Sequence, residues 1–114
     1  MFIAIYEFEV RGGMEQTFVA AWLEVTEGIY KNFGSYGSRL HKDKDGKYVG
    51  YAQWPDEESW ARDWSSDALL QQARDTMWSC LDSSRTVYEA EVVADFLQAD
   101  QYKHEPDRIM EEKP

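Results

Sequence analysis

Cysteine is nearly absent from this chain, which has only Cys80 among its 114 residues. A single cysteine excludes an intramolecular disulfide and suits a reducing compartment such as the cytoplasm. A lone thiol is most simply a small core hydrophobe. Basic residues are also scarce: 12 Lys and Arg stand against 22 Asp and Glu, for a formal charge of −10. Such a field repels phosphate backbones and argues against nucleic acid as a partner. No apolar run approaches the roughly 18–20 residues of a membrane span, so no membrane partner is indicated. The opening MFIAIYEFEV is too short, too acidic and not preceded by basic residues, so it does not read as a secretion signal. Histidine is limited to His41 and His104. Neither has a partner at metal-ligand spacing, and no Cys/His or Ser/His/Asp arrangement is visible, so no metal is expected. The RGGM turn opens no nucleotide-binding βαβ unit. Asp43 and Asp45 lack the glutamate that a calcium loop needs at its twelfth position.

Aromatic residues, by contrast, make up 15% of the chain within a hydrophobic total of 43%, enough for the packed core of one domain. Phe2–Val10 alternates as a strand and ends at the RGG turn. The next segment repeats Phe18, Trp22, Val25, Ile29 and Phe33 at helical spacing, with Glu15 in its first turn, Lys31 in its last and Gly34 beyond it. SYGSRLHK and KYVGYAQW read as strands joined by the hairpin signal DKDG. Asp56 can cap a helix that carries Trp60 and Trp64 on one face. Ser65–Asp67 interrupts that helix and can cap a second segment, with Leu70, Ala73, Met77 and Leu81 as its buried stripe. Thr86–Leu97 completes the pattern as a strand. The order βαββαβ indicates an α+β, ferredoxin-like sandwich with a four-stranded antiparallel sheet over residues 1–97. Residues 98–114 form a polar C-terminal tail, expected to be mobile or packed on a partner.

Two helices cover one face of such a sheet. Parity assigns Phe2, Ala4, Tyr6 and Phe8 to the covered face, together with Tyr48, Gly50, Ala52 and Trp54. The other face would then display Ile3, Ile5, Val49, Tyr51, Val87 and Val93, a patch that a two-fold dimer of the chain would bury. Glu7, Glu89 and Glu91 fall on that face too, with Arg39 and His41 as their expected counter-ions.

Three of the five tryptophans, Trp54, Trp60 and Trp64, crowd into Lys47–Trp64. Gly50 and Ala52 leave space on the covered face between Tyr48 and Trp54, and the helical indoles descend on it. An aromatic-walled slot for a flat ligand results, with plain core packing as the alternative. Arg74 lies on the buried stripe, four residues after Leu70 and three before Met77. Either it snorkels to solvent or it points at an anionic ligand.

DGKYVGYAQW followed one residue later by a helix resembles the antibiotic-biosynthesis-monooxygenase superfamily of dimeric α/β barrels. The resemblance spans about Phe2 to Leu97 and includes Phe18 with Ala21-Trp22 and the SRLHK strand. It implies a sheet-to-sheet homodimer and, in the cofactor-independent branch, oxidation of polycyclic phenols to quinones by dioxygen. That branch pairs a strand Asn and Trp with a helix aromatic and an Arg. Trp54, Trp60 and Arg74 match, and Gly50 stands where the Asn would be. The resemblance thus implies catalytic roles for Arg74 and Trp54, with substrate held by Trp60, Trp64, Tyr6, Gly50 and Tyr48 and no cofactor. Tyr6 or Tyr48, which share the covered face, could supply the polar group missing at Gly50, although core packing with a satisfied hydroxyl is the favoured role for each. The alternative is a non-catalytic homodimer that binds a small aromatic metabolite. The haem-degrading branch ranks third: Trp64 matches its Trp, but Tyr6 replaces its Asn and Arg74 its haem-ligating His.

Overall fold

The computed structural model describes residues 1–62 and 68–97. Strand β1 (Phe2–Val10), helix α1 (Glu15–Asn32), strands β2 (Gly37–Lys42) and β3 (Tyr48–Trp54), helices α2 (Glu57–Trp60) and α3 (Ala68–Ser79) and strand β4 (Leu81–Glu91) follow in order. The strands form one antiparallel sheet in the order β2-β3-β1-β4, the ferredoxin-like α+β arrangement expected. The cap expected at Ser65–Asp67, Trp64 and the tail from residue 98 lie outside the described residues.

Each boundary has a local cause. Gly13, between β1 and α1, and Gly34, just after α1, take positive φ, a conformation glycine reaches without steric cost. In the β2–β3 hairpin, Gly46 does the same, while the Asp43 carboxylate accepts from the backbone N–H groups of Asp45 and Lys47, each at 2.9 Å. The first helix runs as its periodicity indicates and buries Phe18, Ala21, Trp22 and Val25. Gly28 lets α3 approach α1, since a Cβ there would lie 3.3 Å from Leu70 Cδ1.

The alternation of β1 and β3 sorts their side chains as expected. Phe2, Ala4 and Phe8 of β1 are buried, and Tyr48, Gly50, Ala52 and Trp54 of β3 are buried at every second position. The register makes these residues direct partners: Phe2 with Trp54, Ala4 with Ala52, Tyr6 with Gly50 and Phe8 with Tyr48. Phe18 of α1 is sealed against this face, its ring 5.2 Å from that of Phe8 and 5.4 Å from that of Tyr48. Burying such a side chain contributes about 1.5–3 kcal/mol.

Several expectations need correction. Helix α2 ends at Trp60, so no continuous helix runs on toward Trp64. Leu81 is buried, but it opens β4 instead of closing the α3 stripe, and β4 ends at Glu91, well before Leu97. The outer face also differs. A bulge between Ile5 and Tyr6 leaves Val87 as the extra residue of β4, and Val93, 94% exposed, lies past the strand. Tyr88 and Ala90 take their places, opposite Ile5 and Ile3. Glu89 and Glu91 pair with Ala4 and Phe2 and so belong to the helix side of the sheet. Glu7 takes Lys47 and Arg85 as its counter-ions, each at 3.0 Å, in place of Arg39 and His41. The imidazole Nδ1 of His41 lies 3.1 Å from the Val49 carbonyl oxygen.

Candidate functional site

A cleft of about 520 Å³ opens between the sheet and the helices. Its floor is the middle of β1 and β3, where Tyr6 faces Gly50. Trp22, Val25 and Ile29 of α1 form one wall, and Arg74, Met77 and Trp78 of α3 another. Trp54 and Trp60 close one end. The cavity is large enough for a flat molecule of two or three fused rings, and mostly apolar walls suit one.

Trp60 is placed by a short, well-defined turn. The Asp56 carboxylate caps α2 by accepting from the Ser59 N–H at 2.7 Å, which holds its carboxyl below the ordinary aspartate range. The Trp60 ring then lies 5.2 Å from that of Phe2, tilted by 42°, and its indole Nε1–H donates to the Tyr6 hydroxyl at 2.6 Å. Burial raises the Tyr6 phenol above the usual tyrosine range. The Trp60 hydrogen bond offsets part of that, and the charge of Glu89 adds to it. Tyr6 is therefore a neutral hydroxyl near pH 7.

Five of the seven expected site residues, Tyr6, Gly50, Trp54, Trp60 and Arg74, line this single cleft. Tyr48 sits apart, buried edge-on against Phe18 with Lys42 Nζ 5.8 Å from its ring centre, and does not line the cleft. Trp64 lies outside the described residues. The space expected above Gly50 is already partly occupied: a Cβ there would lie 3.1 Å from Phe8 Cε2 and 3.5 Å from Tyr6 Cδ2. Arg74 is half-buried on the cleft side of α3, and Arg62 joins it in the lining. Arg85 lines it as well but is paired with Glu7, and three arginines in one cleft of a chain with formal charge −10 favour an anionic or polarisable oxygen there.

Ser84 and Thr86 also line the cleft, and sequence reading missed their place. They lie on the polar first half of β4, which has no hydrophobic alternation to mark it as strand. The β4 bulge beside Tyr6 shifts the pairing there, and no residue pattern announces it. Among the described residues, no group of three or more His, Cys, Asp or Glu is arranged to hold a metal ion, and no helix is long and apolar enough to cross a membrane.

The sequence model of the antibiotic biosynthesis monooxygenase family matches residues 1–76. Solved structures share the fold at low identity. A proposed antibiotic biosynthesis monooxygenase of Bordetella bronchiseptica is 19% identical with a TM-score of 0.69, covering 82% of this chain and 97% of that one. One from Nitrosomonas europaea is 16% identical with a TM-score of 0.68, covering 82% and 100%. SnoaB, a cofactor-independent oxygenase from Streptomyces nogalater, is 14% identical with a TM-score of 0.68, covering 85% and 97%. No curated protein sequence matches the chain.

Proposed function

The chain belongs to the antibiotic biosynthesis monooxygenase family, and from that premise we propose that it is a cofactor-independent oxygenase converting a small polycyclic phenol or aromatic ketone to a quinone with dioxygen. The observation that carries this reading is the convergence of Trp54, Trp60 and Arg74 on one aromatic-walled cleft. An anthrone-type substrate would stack between the indoles by offset π contact. Loss of one C–H proton leaves a carbanion conjugated with the ring oxygen, and Arg74 stabilises the negative charge that collects on that oxygen. The carbanion passes its electrons to dioxygen and a C–O bond forms. Protonation gives a hydroperoxide. Loss of the second C–H proton then cleaves the O–O bond, leaving a carbonyl on carbon and releasing water. The substrate is oxidised and dioxygen reduced, with one oxygen atom in each product.

The proposed assembly is a homodimer closed over the outer sheet face. Ile3, Ile5, Val49 and Tyr51 are only partly buried there, and Tyr88 is 63% exposed. A reducing cytoplasm is the proposed location, consistent with the lone, buried Cys80, which has no second cysteine in the chain to pair with. A second reading, a dimer that binds an aromatic metabolite without turnover, is favoured by one feature, the glycine at position 50.

Dioxygen uptake by metal-free protein offered anthrone-type and naphthohydroquinone substrates tests the proposal. Uptake with quinone formation should fall by about 10²–10³-fold in Arg74→Ala and be lost in Trp54→Ala. Uptake no faster than the spontaneous rate across the panel, with ligand binding intact, would favour the second reading.

A further inference from the structure

We infer that Tyr6 is the substrate-oxygen anchor of the cleft, donating its phenolic hydrogen to a ketone or phenolate oxygen from the strand opposite Gly50. The inference deepens the proposed function and rests on it for the ligand class.

The hydrogen-bond direction follows from chemistry. An indole N–H can only donate, so in the 2.6 Å contact with Trp60 the Tyr6 oxygen must be the acceptor. The phenol's own hydrogen is left to point elsewhere, and the cleft lies on that side of the sheet. Trp60 thus orients the hydroxyl as well as walling the ligand. Burial and the nearby Glu89 charge keep the phenol protonated, so it remains a donor.

Position 50 supplies the second, independent observation. Tyr6 and Gly50 are direct cross-strand partners on the same face. Any side chain at position 50 would begin with a Cβ 3.1 Å from Phe8 Cε2 and 3.5 Å from Tyr6 Cδ2. The Phe8 ring therefore crowds the start of any β3 side chain there, while Tyr6 would be in ordinary van der Waals contact with it. A polar anchor on β3 requires the Phe8 ring to shift by a few tenths of an ångström. The cleft has its hydroxyl on β1 instead, and the ligand it selects carries an acceptor oxygen at the edge of its ring system.

Anaerobic equilibrium dialysis tests this without turnover. The probes are anthrone and 9,10-dihydroanthracene, which share a shape and differ by a carbonyl oxygen, titrated against wild type, Tyr6→Phe and Gly50→Asn. Thermal melts check that each variant is folded. Wild type should prefer anthrone. Tyr6→Phe should weaken anthrone by roughly ten-fold and leave dihydroanthracene within about two-fold. Gly50→Asn should keep a preference for anthrone, because the added Cβ crowds Phe8 and meets Tyr6 only in ordinary contact. Equal losses for both probes in Tyr6→Phe, or no loss for either, overturn the inference. Dioxygen uptake on the same samples separates the two claims. A Tyr6-dependent preference without uptake sinks the oxygenase and leaves the anchor. Uptake with a preference indifferent to Tyr6 sinks the anchor and leaves the oxygenase. A wild type that binds neither probe sinks both.

Discussion

The two ends of the β1–β3 ladder are built from the same alternation and end up doing different things. At one end Phe8 and Tyr48 meet Phe18 of the eighteen-residue helix α1, whose ring is fully buried. At the other end Phe2 and Trp54 meet Trp60 from a helix of four residues, together with Ile29 near the end of α1. A long amphipathic helix lays down a continuous apolar stripe, whereas a single turn covers only one spot. The cleft runs between the sheet and α1 and α3, with Trp60 among its lining, and Tyr6 and Gly50 sit midway between the two ends. Both ends are rich in aromatic residues, so aromatic content alone does not separate core from site. The burial of the covering ring does: Phe18 is fully buried, whereas Trp60 is half-buried.

The largest effect should come from breaking the sealed end. Phe18→Ala is expected to cost about 3–5 kcal/mol in a urea melt and to abolish function only through unfolding. Trp60→Ala at the cleft end should cost less than half of that while removing ligand binding, because the half-buried indole serves the site more than the core. Similar stability losses for the two would erase the distinction. Next, Gly50→Asn should destabilise by about 1–3 kcal/mol, since the Phe8 ring must give way, and a crystal structure of the variant would show that ring displaced. Asp56→Ala removes the cap of α2 and should lower the melting temperature by less than Gly50→Asn does. The loosened Trp60 should weaken ligand binding without touching the sealed end, as Trp22 and Trp60 fluorescence measured separately would show.

The smallest effects are those of pH. The Tyr6 phenol is raised in the folded state, so its contribution to stability is present below about pH 10 and is lost as pH rises beyond it. Tyr6→Phe should flatten the alkaline limb of a melting-temperature profile. Glu7 behaves in the opposite sense: Lys47 and Arg85 hold its carboxyl below the ordinary range. Its contribution is present above about pH 4.3 and lost as pH falls through the lowered value. Because the group is exposed, Glu7→Gln should change the acid limb only slightly.

Much of the fold was legible because its signals are local. The first strand, the first helix and the β2–β3 hairpin follow from alternation, helical period and the DKDG turn, and each appears within a few residues of its expected bounds. The misses also have a local cause. Ser83-Ser84-Arg85-Thr86 is an exposed edge of the sheet, so nothing in its polarity distinguishes it from loop. The bulge at Val87 then reverses the parity of everything read from the wrong start, moving Glu89 and Glu91 to the helix side and bringing Tyr88 outward. Among candidate site residues, Tyr48 had the same parity as Gly50 and Trp54. Its position along the strand, under α1, took it into the core.

From the chain of residues alone it follows that Phe2, Ala4, Tyr6 and Phe8 share a face, and that Tyr48, Gly50, Ala52 and Trp54 share one as well. A period of two is a property of the extended backbone and needs no partner. That Tyr6 lies directly opposite Gly50 required the strands to find their register. That the Trp60 indole donates to the Tyr6 oxygen required α2 to be set down across 54 residues of sequence separation. Hydrogen-bond direction and van der Waals exclusion act over a few ångströms in space, and only folding brings residues so distant in sequence within that range.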